Sequence, residues 1–130
     1  MTCNALELTH ERLTERQERA YAWAESVYGP ARVRQRRYQA FRFLEEAMEL
    51  CQTQGLSLED FVRCARYVSE RKVGDTKVEM GDVRICLDIM AENLGLSLDH
   101  CHTTALNRVH SLDPEKCKTK DDAKIAAGLI

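Results

Sequence analysis

Apolar residues recur at three- and four-residue intervals along most of the chain, the period of one face of an α-helix. Strict alternation, the mark of a half-buried strand, is nearly absent. Leu13, Ala20, Ala24 and Val27 predict a first helix from Thr9 to Tyr28, stopped by Gly29-Pro30. Phe43, Ala47, Leu50 and Cys51 predict a second from Gln35 to Gln54, ended by Gly55. Ser57, with Asp60 three residues on, reads as the cap of a third helix carrying Phe61, Cys64, Ala65 and Val68. Asp75 caps a fourth that runs through Asn93 to Gly95, and Ser97 caps a fifth through Val109. The pattern predicts an all-α domain over residues 1–110 and a basic C-terminal tail, 111–130, only partly ordered.

Helix four has the most informative wheel. At about 100° per residue, Lys77, Gly81, Arg84, Asp88 and Glu92 share one solvated face roughly 80° wide. Val78, Val83, Ile85, Leu87, Ile89, Met90 and Leu94 cover the rest, so this helix is expected to be buried on most sides. Glu79 lies about 180° from the solvated stripe and Asp82 about 120°. Both carboxylates are therefore expected to face inward, where an ionised acid needs a cation or a positive side chain beside it. On helix two, Glu45, Glu46 and Glu49 crowd within one turn, with Arg42 near them, and a cation would relieve their repulsion.

Composition narrows the picture. Hydrophobic residues make up 44% of 130, enough for one domain with a core, and the net charge is −2, so no global basic field recruits nucleic acid. Arg32, Arg34, Arg36 and Arg37 form a local basic patch, but no recognition helix accompanies it, and no nucleic-acid partner is expected. No apolar run reaches a membrane span, and the first ten residues lack a signal-like layout, so the expectation is a cytoplasmic protein with no membrane partner. The six cysteines contain no C-x-x-C pair and fall mostly at apolar helical positions, which predicts reduced, mostly buried thiols. His100-Cys101-His102 point in different directions on a helix and do not read as a zinc site.

In their order, Glu45-Glu46-Ala47-Met48-Glu49 and Glu79-Met80-Gly81-Asp82 resemble the signature of the MazG-like members of the all-α nucleoside triphosphate pyrophosphohydrolases: E-E-x-x-E, a spacer, then E-x-x-D. The likeness extends from Thr9 to His110 and includes Gly95-Leu96-Ser97-Leu98. The place where family members often carry a lysine, before Asn107, is Leu106 here, and the spacer from Leu50 to Val78 is long. The resemblance implies a MazG-like helical bundle of about five helices completed by dimerisation, as a homodimer or homotetramer. It implies Mg²⁺, or Mn²⁺, as cofactor and hydrolysis of a nucleoside triphosphate to monophosphate and pyrophosphate. Carried over, Glu46, Glu49, Glu79 and Asp82 are metal ligands, and Glu45 matches the first acid of the motif.

An all-carboxylate set suits hard, octahedral Mg²⁺ better than zinc. Glu45 or Glu49 is placed to take the proton of the attacking water. Arg71, Lys72, Lys77 and Arg108, with Lys116 and Lys118 of the tail, are candidates for covering the outer phosphates, and Asn107 and Trp23 for contacts to sugar or base. The competing expectation is a non-catalytic helical interaction protein whose acids form salt bridges with Arg32, Arg34, Arg36 and Arg37.

Overall fold

The computed structural model is all-helical, with no strand among the described residues. Residues 2–130 are described, with side chains from Glu15 onward; Leu13 of the predicted first stripe and Cys3 lie outside the described side chains. The helices are α1 (Thr2–Tyr28), α2 (Pro30–Val33), α3 (Arg36–Gln52), α4 (Leu58–Ser69), α5 (Thr76–Asn93), α6 (Leu98–His110) and α7 (Pro114–Ala126). They fall into two compact units, residues 1–44 with 108–130, and residues 45–107.

The helix boundaries follow local chemistry. Gly55 and Gly95 end α3 and α5 in the left-handed region, φ 87° and 68°, where a side chain would be strained. There the N–H of Leu56 reaches back to the Cys51 carbonyl (3.2 Å) and that of Leu96 to Ala91 (2.9 Å), closing the last turns. The Ser57 backbone N–H donates to Asp60 Oδ2 at 2.8 Å, and that bond is the main reason the Asp60 carboxyl is held below its usual range. Ser97 Oγ accepts the His100 N–H at 3.2 Å, as its cap position predicts.

In the first unit α1 packs against α2 and α7. Val27, Val33 and Tyr38 are buried there. Trp23 meets Tyr28 edge to face, with ring centroids 5.9 Å apart. The tail is built into this unit: Asp113 caps α7 by accepting the Glu115 N–H at 3.0 Å, with Pro114 in the first turn. One turn from the end of α7, Asp121 is only 3% exposed. Its Oδ2 accepts from the Tyr38 hydroxyl and from Arg32 Nη1, each at 2.8 Å. The other guanidinium nitrogen of Arg32 reaches Asp122 Oδ1 at 2.8 Å. No buried side-chain polar atom among the described residues lacks a partner.

The second unit is open. Leu106 is its only buried side chain among the described residues. On α5, Val78, Val83 and Ile85 are exposed, Met80 is 69% exposed and Ile89 64%. The expectation that this helix is buried on most sides is not met among the described residues, where its apolar side chains stay largely uncovered. The same holds for α4, where Leu58, Val62, Tyr67 and Val68 all face solvent. The cysteines follow suit: Cys64, Cys86 and Cys101 are exposed and Cys51 and Cys117 half-buried, all as free thiols. Their predicted burial fails because the faces that carry them are uncovered.

Candidate metal and nucleotide site

All five motif acids belong to the second unit, on α3 and α5. Asp75 sets where α5 begins: its Oδ1 accepts the N–H groups of Lys77 (3.1 Å) and Val78 (3.2 Å). The Glu79 N–H then donates to the Asp75 carbonyl at 2.9 Å, which puts Glu79 in the first turn, at the positive end of the helix dipole. Asp82 follows three residues later on the neighbouring face. The Glu79 carboxylate lies back against Gly74, in space that a Cβ at that position would fill.

Glu79 and Asp82 are exposed, as are Glu46 and Glu49, while Glu45 is half-buried. The inward orientation expected for Glu79 and Asp82 is therefore not found in the single chain, for the reason that α5 itself is uncovered. In water these carboxylates carry no desolvation cost that would demand a cation. Among the described residues no three His, Cys, Asp or Glu side chains come together as a metal-holding group, and His100-Cys101-His102 form none either. The donor chemistry nevertheless suits Mg²⁺: every candidate ligand is a carboxylate. Glu49, Glu79 and Asp82 make no ion pair among the described residues.

The candidate phosphate-binding side chains are distributed unevenly. Arg71, Lys72 and Lys77, which flank the start of α5, are exposed, and so is Asn107. Arg71 stacks its guanidinium 5.3 Å from the centroid of the Tyr67 ring and donates Nη1 to the Tyr67 hydroxyl at 3.2 Å. Arg108, Trp23, Lys116 and Lys118 belong to the first unit instead. Trp23 is half-buried against Tyr28, a packing role. A groove of about 600 Å³ runs along α1 past Ala20, Tyr21, Ala24 and Val33, and none of the candidate acids lines it.

Two features were not read from sequence. Tyr67 sits one helical turn before Arg71, and that i,i+4 spacing of aromatic and cation was the available signal. The Arg32–Asp121–Tyr38 junction had no local signal, since Asp121 lies in a lysine-rich segment that reads as solvated. It also reassigns Arg32, which the salt-bridge reading paired with the motif acids and which is held by α7. No described helix is long and apolar enough to cross a membrane. Compared with known proteins, the chain matches no family model, no curated protein and no solved structure.

Proposed function

We propose that this protein is a Mg²⁺-dependent nucleoside triphosphate pyrophosphohydrolase that works as a homo-oligomer. The observation that supports the reading is a pair of carboxylates three residues apart on each of two helices of one unit, Glu46 and Glu49 on α3 and Glu79 and Asp82 on α5. Three of them, Glu49, Glu79 and Asp82, have no ion-pair partner among the described residues. A salt-bridge network would have used these acids; here they remain available.

The uncovered apolar surface of α4 and α5 supports the oligomer. Exposed apolar side chains gathered on a helix, such as Val78, Val83, Ile85 and Ile89 of α5, are what an interaction surface presents. A second copy laid on it would cover Val83, Ile85 and Ile89 and bring further acids toward the first set.

Glu46, Glu49, Glu79 and Asp82 would hold Mg²⁺, which when bound offsets the charge of the triphosphate and makes water more acidic. Arg71, Lys72 and Lys77 contribute positive charge for the outer phosphates from the loop and first turn of α5. Glu45, the half-buried acid, takes the proton as a water oxygen attacks a phosphorus of the α–β anhydride, with Glu49 the alternative base. The bridging P–O bond breaks, and pyrophosphate leaves from a nucleoside monophosphate.

Assay of the purified chain with Mg²⁺ against a panel of canonical and modified nucleoside triphosphates should show pyrophosphate release that EDTA abolishes. Absence of release across the whole panel would overturn the assignment.

A further inference from the structure

Charge is divided unevenly between the two units. Residues 45–107 carry twelve Asp and Glu against six Lys and Arg, a net charge of −6, while the rest of the chain nets +4. Within the acidic unit Arg63 is paired with Asp60 and Arg84 with Asp88. Its own cations are too few to neutralise its carboxylates.

Two of those carboxylates stand within the apolar surface of α5. At about 100° per residue, Asp82 falls within roughly 60° of Val78, Ile85 and Ile89, and Glu79 within roughly 40° of Val83. All of these side chains are exposed. Arg84 lies about 140° or more round the helix from both acids, on the side of its partner Asp88.

A surface that covers Val78, Ile85 and Ile89 therefore covers Glu79 and Asp82 with them. An ionised carboxylate taken out of water must be accompanied by a cation. A second copy brings the same unit, with twice as many acids as bases, so it adds to the negative charge and does not offset it. The apolar gain of pairing and its charge cost oppose each other, and a divalent cation held by oxygen ligands removes the cost. Among the described residues of the single chain no three acids gather as a metal-holding group.

We infer that divalent-cation binding and pairing of the chains through α5 are one linked equilibrium: copies pair when the acids on this surface are neutralised, and the cation binds tightly when pairing gathers the acids around it. Linkage of this kind is reciprocal, each event strengthening the other by the same factor. The inference rests on the metal-dependent homo-oligomer proposed above and adds how its assembly is regulated.

The experiment is sedimentation equilibrium of the full chain, without nucleotide, in EDTA, in Mg²⁺, and in EDTA with NaCl at the ionic strength of the Mg²⁺ buffer. The dissociation constant of the native assembly should be about tenfold or more lower in Mg²⁺ than in either EDTA buffer, within the range usual for coupled sites. The double variant Glu79→Gln with Asp82→Asn should associate alike in all three, because the charge that opposed pairing is gone. Native association that is equal with and without Mg²⁺, or that NaCl restores by screening alone, would overturn the linkage and leave the oligomer standing. A double variant that keeps the full Mg²⁺ dependence would also overturn it, since other acids would then carry the effect. A native chain that is monomeric in every buffer would remove the oligomer and the linkage together, and pyrophosphate release by that monomer would keep the hydrolase reading apart from both.

Discussion

The Tyr38 hydroxyl donates to Asp121 Oδ2 across 2.8 Å, joining residues 83 apart in the chain. Arg32 completes the junction from α2, so a single carboxylate on α7 accepts bonds from both α2 and α3. Tyr38 and Asp121 are both buried, which raises the value of the bond between them, because neither can turn to water when the other is removed. The C-terminal segment is held in its unit by this junction together with its packing on α1.

Asp121→Ala should therefore destabilise the protein by about 1–3 kcal/mol, since it leaves the buried Tyr38 hydroxyl without its acceptor and removes one of the two carboxylates that hold Arg32. Asp122→Ala, at an exposed position, should cost less than about 0.5 kcal/mol. Urea titrations of the two variants against the native chain make the comparison. Equal, small effects would mean that packing alone holds α7.

The same junction gives an alkaline signature. Burial first, and then the bond to Asp121, raise the Tyr38 phenol above its ordinary value of 10.0. The folded state thus keeps a proton that the unfolded chain gives up. The contribution is complete below about pH 10 and is lost as pH climbs past it toward the folded-state value. Melts between pH 9 and 11 should show a falling midpoint, about as expected for one tyrosine, that flattens in Tyr38→Phe. A decline of equal slope in that variant would assign the effect to other groups.

Glu79→Gln should abolish pyrophosphate release, by at least about 100-fold, while shifting stability by no more than about 0.5 kcal/mol. Its exposure is what separates the two readouts: removing a hydrated charge leaves no buried group unpaired. Turnover within twofold of native would take Glu79 out of the chemistry.

Sedimentation at micromolar concentration should find the native chain as a dimer or tetramer. Ile89→Lys, which puts a charge on the exposed apolar surface of α5, should weaken association by about 30-fold or more, the scale of a central interface residue. A native chain that sediments as a monomer would leave the α5 surface for some other partner.

Helix existence was legible because its signals are local. Asp75 and Ser97 accept N–H groups two or three residues away, Asp60 accepts the Ser57 N–H three residues back, and Gly55 and Gly95 supply the conformation that ends a helix. The acids of α3 and α5 share faces by the same arithmetic. The segment 111–130 was harder: its helix α7 is strongly polar, and its docking depends on one buried aspartate that local pattern cannot distinguish from its exposed neighbour Asp122.

By itself the sequence determined where helices start and stop and which acids stand three residues apart on them, because each of those relations closes within about one turn of chain. Burial is another matter. Asp121 is bonded by side chains from α2 and α3, and Glu79 is exposed on an α5 whose apolar side chains are left largely uncovered among the described residues. Only the tertiary structure decided these, since the hydration of a side chain depends on what distant residues bring to it and not on its own place in a helical repeat.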